Sequence, residues 1–338
     1  MKNNVVFIGN VTQQKLTYAK LLIYPSSRQK NGYLVHQENA MGKIALTDRT
    51  KGFISIIIVM LIWGSSFAIT KTVVMEVRPF VFASLRHLMA CAVLLPFYLL
   101  RRKKVKQSLP YKKLVLMGMV GVTIYYGFFN FAMLYIPASS GALIEGLIPV
   151  AIAVPAAIIL KEHLAPKSIV GIMLCVTGVI LVGFVGTPKG SPHVLLGSVL
   201  MVLAVCCWST YTLLSRSIKE TDTLLATSVS TFIGSALLMP VGAIDVYYHG
   251  MPEISLRAWA CMAYLAVMAS ALAYFLYNRA LESLPAAQVG NFMNLNPVIG
   301  AVIAVIFLKD TFTAWQLAGG VLVLMGIWLS SKRVRQKQ

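Results

Sequence analysis

Residues 126–150 read YGFFNFAMLYIPASSGALIEGLIPV, and residues 274–298 read YFLYNRALESLPAAQVGNFMNLNPV. Laid over each other at an offset of 148 residues, Tyr126 falls on Tyr274, Asn130 on Asn278 and Ala132 on Ala280. Pro137-Ala138 falls on Pro285-Ala286, and Pro149-Val150 on Pro297-Val298. The match runs on through Leu160-Lys161 and Leu308-Lys309, then Glu162 and Asp310, Gly171 and Gly319, Gly178 and Gly326. Upstream, at an offset of 145, Trp63 meets Trp208 and Lys71 meets Arg216. Self-similarity at one fixed distance marks a duplicated structural unit.

The composition says what solvent the unit faces. Of 338 residues, 58% are hydrophobic and 12% charged. Soluble domains run at roughly 45–50% and about 25%. The excess fits an outer face in lipid, and it excludes a disordered chain. Five cysteines in a chain of this size exclude a secreted disulfide scaffold. Cys91, Cys175, Cys206, Cys207 and Cys261 all fall in apolar runs, without zinc-site or redox spacing.

A membrane-crossing helix needs about 20 apolar residues. Ten stretches qualify: 53–73, 80–100, 114–135, 139–160, 168–186, 194–215, 224–247, 257–278, 286–308 and 314–331. Open strands cannot cross lipid, so these are helices. Five per repeat is an odd number, so the second half enters the membrane from the opposite side. The sequence therefore predicts an all-α integral membrane protein of ten transmembrane helices, arranged as two inverted five-helix repeats. Inverted repeats are the architecture of many secondary transporters, whose substrate site lies near the midplane between the halves. The expected organisation is a polar N-terminal tail at 1–51, a first repeat at 52–190, a second at 191–331 and a basic tail at 332–338. Residues 1–40 differ in composition from the rest, and Met41 opens the stretch leading into the first apolar run. We expect translation to start at Met41, with 1–40 a misassigned extension.

The net charge is +19. With the N-terminus inside, the loops counted from residue 41 place nineteen Lys and Arg on the cytoplasmic side and five opposite. Basic loops stay in the cytoplasm, so both termini are expected there, in the cell membrane. The basic residues form no stripe on a helix, which argues against nucleic acid as a partner.

The chain resembles the drug/metabolite transporter superfamily, EamA type. The resembling residues are Ile62-Trp63-Gly64-Ser65-Ser66-Phe67-Ala68, Arg86, the Ala132…Ile136-Pro137-Ala138 junction, Pro149, Glu162, and Gly171 with Gly178. The resemblance covers about residues 52–331, and most of the pattern recurs in the second half. It implies a two-repeat carrier with a central cavity lined from both halves, often exporting amino acids or other metabolites. It also implies that the fifth and tenth helices are peripheral. The N-terminal 40 residues are no part of the pattern.

An ionisable residue deep in a membrane helix is expensive and is a functional candidate by default. Glu145 lies about six residues into its span, where it can carry a proton, meet a cationic substrate group or hydrogen-bond a neighbouring helix. Arg86 reads first as a charge anchor that snorkels to the outer surface. Pairing with Glu76 and holding a substrate carboxylate are its other readings. His87 beside it has no partner at ligand spacing. Gln288, Asn291 and Asn294 share a broad helix face, with Asn296 just off it; they line a cavity or join helices. Pro149 and Pro297 mark matched helix breaks. Trp63, Tyr126, Trp208, Tyr211 and Tyr274 lie inside their helices rather than at the ends, as cavity walls or as packing. Asn130 and Asn278 join them as a repeat-related pair. Gly171 with Gly178 and Gly319 with Gly326 read as close-packing faces, within the chain or in a homodimer. Lys161-Glu162 and Lys309-Asp310 read as solvated helix ends.

No Walker loop, HExxH or GxSxG is present, and no metal constellation or cofactor motif. The expected function is therefore a gradient-driven carrier, an exporter of small metabolites such as amino acids. A multidrug or organic-cation exporter of the same fold is the alternative. A membrane-embedded enzyme is a remote one, since only His87 lies within a span and it has no acidic partner a turn away. The expected partners are a small-molecule substrate and the lipid bilayer.

Overall fold

A computed structural model of the chain describes residues 27–160, 166–182, 193–218, 220–284, 289, 292–293, 295–311 and 313–331. The chain divides into two units, residues 1–50 and 51–338. The second holds every element described below except the start of the first helix. Every regular element among the described residues is helical.

Six stretches are long and apolar enough to cross a membrane: Asp48–Val74, Pro79–Lys104, Tyr111–Tyr135, His193–Arg216, Thr223–His249 and Leu256–Ser283. They run 24 to 28 residues, and at about 1.5 Å per residue that exceeds the hydrocarbon thickness of roughly 30 Å. Four shorter apolar helices, Ala138–Ile152, Ile169–Ile180, Leu295–Leu308 and Ala314–Gly326, fall in the other four expected spans. By secondary structure the elements are α1 (Ser27–Val74), α2 (Pro79–Lys104), α3 (Tyr111–Gly118), π1 (Met119–Ile124), α4 (Tyr125–Tyr135), α5 (Ala138–Glu145) and α6 (Ile148–Leu160). They continue with α7 (Pro166–Ile180), α8 (His193–Arg216), α9 (Thr223–His249), α10 (Leu256–Tyr264), π2 (Leu265–Leu272), α11 (Ala273–Ser283), α12 (Leu295–Leu308) and α13 (Ala314–Ser331).

Two expected spans contain a π-helical turn. In each, the α-helix that follows has 11 residues, Tyr125–Tyr135 and Ala273–Ser283, offset by the same 148 as the sequences. Both end on an extended residue, Ile136 and Leu284. A π turn widens the helix and leaves backbone carbonyls short of partners. Here they are served from the other half of the chain. Tyr274 donates to Gly121 O at 3.1 Å, and Trp63 Nε1 donates to Ala269 O at 3.1 Å. Gly121 and Ala269 are themselves 148 residues apart.

A third expected span, 139–160, is broken. Pro149 has no N–H to give the carbonyl of Glu145, four residues back. The chain ends α5 at Glu145 and restarts α6 at Ile148, with Pro149 in its first turn. Gly146 and Leu147 close the gap with i→i−3 bonds to Leu143 O and Ile144 O. Pro297 likewise lies in the first turn of α12.

The turn between α4 and α5 corrects one expectation. Asp310 is no solvated end: its carboxylate accepts from Ser139 N at 3.1 Å and Ser139 Oγ at 2.9 Å, in the first turn of α5. Lys71 Nζ donates to Met133 O, Leu134 O and Ile136 O, in the last turn of α4. Anion at a helix start and cation at a helix end each suit the helix dipole. Lys161 and Glu162 lie outside the described residues.

Helices α2 and α9 run antiparallel, tied at one end by Arg78–Asp245 at 3.0 Å and at the other by Arg101–Asp222 at 2.6 Å. Between them, Ser84 Oγ donates to Leu238 O and Cys91 Sγ to Ser235 Oγ. Helices α7 and α13 pack chiefly on each other. A Cβ at Gly178 would lie 2.5 Å from Gly319 O, and one at Gly326 would lie 2.5 Å from Gly171 O. Both glycine faces thus meet within the chain, which removes their use as a homodimer surface. Gly178→Val should lower the melting temperature of the detergent-purified protein, at a cost of roughly 1–3 kcal/mol for overpacking. Gly127→Ala, with nothing nearer than Phe80 Cε1 at 3.7 Å, should leave it unchanged. Equal melting for both variants would show that the α7–α13 pair does not depend on close approach.

Candidate functional site

The site begins with two adjacent tyrosines at the start of α4. Consecutive residues on a helix point about 100° apart, so Tyr125 and Tyr126 serve different neighbours. The hydroxyl of Tyr125 donates to Glu145 Oε1 at 2.7 Å. The hydroxyl of Tyr126 accepts from Arg86 Nη2 at 3.1 Å. Their rings meet edge to face, with centroids 4.8 Å apart.

Arg86 is only 2% exposed, so it does not snorkel. Helix α2 starts at Pro79, which sets Arg86 two turns inside, where its side chain meets protein rather than interface. Its Nε donates to Ser270 Oγ at 2.8 Å, in π2, and its guanidinium carbon lies 4.5 Å from the Tyr126 ring centroid. It makes no ion pair among the described residues. Glu145 is 6% exposed and also unpaired with any described cation. Its second oxygen accepts from Asn296 Nδ2 at 3.4 Å. Asn296, 3% exposed, has no partner for Oδ1.

These groups line one cavity together with Trp63, Ser66, Phe67, Phe129, Ile148, Trp208, Tyr274 and Met293. Its volume is about 30 Å³, enough for a water or two and too small for an amino acid. Trp63 and Trp208, related by the repeat, meet edge to face with centroids 5.0 Å apart. Tyr274 contacts both, at 6.0 and 5.3 Å.

Of the residues singled out in the sequence, Trp63, Arg86, Tyr126, Glu145, Trp208, Tyr274 and Asn296 come together at this cavity. Tyr211, Asn130 and Asn278 do not line it. Tyr211 stacks on Trp208 from behind, at 5.1 Å and 27°, and accepts from Asn278 Nδ2 at 3.0 Å. Asn130 donates to Pro79 O at 3.3 Å, and Asn278 donates to Thr227 Oγ1 at 2.8 Å. Pro79 and Thr227 are again 148 apart; the first opens α2 and the second lies one turn into α9. Pro149 and Pro297 stand at helix starts beside Ile148 and Asn296 of the cavity. Gln288, Asn291 and Asn294 lie outside the described residues. His87 bonds Ala83 O through Nδ1 at 2.9 Å.

The sequence reading missed Tyr125 and Ser270. Tyr125 was legible as the first of a tyrosine doublet. Ser270 gave no signal, being one small hydroxyl in an apolar run.

The EamA-like transporter family model matches the chain twice, over residues 50–184 and 195–332. An uncharacterised transporter of Bacillus subtilis, YyaM, is 29% identical over 280 residues, covering 80% of this chain and 90% of its own. A protein of Salmonella typhimurium named a probable amino-acid metabolite efflux pump is 26% identical over 298 residues, covering 83% of this chain and 95% of its own. A solved crystal structure matches with a TM-score of 0.60 at 19% identity, over 83% of this chain and 96% of that one, a likeness of fold. With both halves matched, the chain belongs to the EamA-like transporter family and is a multi-pass membrane transporter, not an enzyme.

Proposed function

We propose that the protein is a secondary carrier exporting small metabolites, amino acids first, by alternating access of two inverted five-helix halves. The observation that carries this is the cavity itself. It is small, and its walls come from both halves: Trp63, Arg86 and Glu145 from one, Trp208, Tyr274 and Asn296 from the other. A cavity of about 30 Å³ admits a metabolite only if the halves part, and parting on one side at a time is alternating access. The matched π turns and the reciprocal bonds to Gly121 O and Ala269 O support a ten-span, two-repeat arrangement. The relatives of Salmonella typhimurium and Escherichia coli named probable amino-acid metabolite efflux pumps support export and substrate class.

In this reading Glu145 stands at the broken helix α5–α6 and couples occupancy to movement, as a proton carrier or as the partner of a substrate cation. Both termini lie in the cytoplasm and the protein spans the cell membrane, in keeping with the nineteen-to-five bias of basic residues. Green fluorescent protein fused after Gln338 should therefore fluoresce, and alkaline phosphatase inserted at Gly250 should be active. The reverse pair of results would invert the topology.

Counterflow in proteoliposomes tests the carrier. Vesicles loaded with unlabelled amino acids should show a transient, saturable overshoot of labelled substrate, which a channel does not give. Glu145→Gln should abolish the overshoot or flatten its pH dependence, while the variant elutes from size exclusion as the parent does. An unaltered pH profile in that variant would remove Glu145 from the coupling mechanism.

A further inference from the structure

Two opposite charges line one small cavity, and they are not paired with each other. Arg86 is held by Tyr126 and Ser270, and Glu145 by Tyr125 and Asn296. The adjacent tyrosines hold the two groups on different sides of one helix start. Both oxygens of Glu145 accept, one from Tyr125 and one from Asn296. A charge buried without a counter-charge costs several kcal/mol, and the cost falls when a ligand supplies one.

We propose that this site binds the two charged ends of a zwitterionic α-amino acid, its carboxylate on Arg86 and its ammonium on Glu145. The inference rests on the carrier reading and narrows its substrate class. A lone organic cation would satisfy Glu145 and leave Arg86 unpaired. A lone carboxylate would do the reverse. Only a zwitterion answers both at no net change of charge in the cavity. The Asn296 Oδ1, buried without a partner, gives the ammonium a second acceptor. The remaining walls fix the side chain. Trp63, Trp208, Tyr274 and Phe129 present ring faces and edges, so the preferred substrates carry apolar or aromatic side chains. A second carboxylate or ammonium on the side chain would meet aromatic rings and no counter-charge.

The polarity of the site is unique. At the 148-residue offset Arg86 falls on Gly234, Glu145 on Met293 and Tyr125 on Ala273. The duplicate half brings no second pair of charges, so the amino acid binds in one orientation.

The test uses the full chain, in detergent for binding and in proteoliposomes for counterflow. The probes are L-phenylalanine, L-leucine, phenethylamine and 3-phenylpropanoate. Binding is read from quenching of tryptophan emission, since Trp63 and Trp208 wall the site. L-Phenylalanine should quench saturably, and each single-charge analogue should bind roughly 100-fold more weakly or worse, as for sites that reject a ligand leaving a buried polar group unpaired. In Glu145→Gln, 3-phenylpropanoate should draw level with L-phenylalanine. In Tyr126→Phe, which keeps the guanidinium but frees it from its hydroxyl, L-phenylalanine should lose affinity while phenethylamine does not. Phenethylamine or 3-phenylpropanoate binding as well as L-phenylalanine to the unaltered protein would overturn the proposal. So would selectivity unchanged in Glu145→Gln, or no quenching by either amino acid. Selective binding without counterflow would take down the carrier reading and keep the zwitterion site. Counterflow of the single-charge analogues would keep the carrier and remove this site.

Discussion

A guanidinium held out of water in the middle of a membrane protein must have its hydrogen bonds met by protein, and the arrangement around Arg86 follows from that need. Its partners are two residues: Tyr126 at the start of α4, through both hydroxyl and ring, and Ser270 in π2. Each is where it is because of a helix irregularity. Tyr126 is the second residue after π1, and Ser270 lies inside π2. A regular α-helix through either stretch would rotate these side chains away by a good part of a turn. The π turns in turn expose carbonyls that only a buried donor can satisfy, because lipid offers none. Tyr274 and Trp63 are those donors, and both also wall the cavity. Removing either ring would therefore remove a wall and orphan a carbonyl at once.

The same logic explains where the helices are interrupted. The break at Gly146-Leu147 leaves Glu145 as the last residue of α5, at a helix end facing the cavity. Asn296, whose amide reaches Glu145, lies just before Pro297 at the start of α12. Irregular backbone is tolerated at membrane depth where it lines a cavity or is buried in protein. Here the irregular places and the polar lining of the cavity coincide.

The spans and the duplication were legible because both are patterns: runs of apolar residues set by bilayer thickness, and identities at a constant offset. The helix break was legible from Pro149, since a missing N–H has a local consequence. Side-chain destinations were harder to read. Asn130 and Asn278 resemble cavity-lining amides in sequence, yet each bonds a neighbouring helix, Asn130 at Pro79 O and Asn278 at Thr227 Oγ1, because an amide in a membrane protein goes to a buried polar group that needs a partner. Asp310 reads as a helix end in water, but the turn after α4 brings Ser139 to it. Arg86, six residues into a span expected at 80–100, reads as a snorkelling anchor, but Tyr126 and Ser270 on other helices take its donors. Position along one helix is local information, and the partner on another helix is not.

What makes the site chemical lies in the residues the two halves do not share. Aligning two halves draws attention to what they share: Trp63 with Trp208, Tyr126 with Tyr274, Pro149 with Pro297. Those shared residues build walls and breaks, which two halves need alike if they exchange conformations. Charge is different. A second Arg86 and Glu145 at the equivalent places would crowd four buried charges around a cavity of about 30 Å³, and like charges at that range repel strongly in a low dielectric. The second half has Gly234 and Met293 there instead, and Gly234 is used to let α9 approach Gly118 and Val122 closely. Symmetry in the backbone and asymmetry in the charges are thus compatible demands. In the carrier proposed above, the first is what a site opening to either side needs, and the second is what one orientation of a bound zwitterion needs.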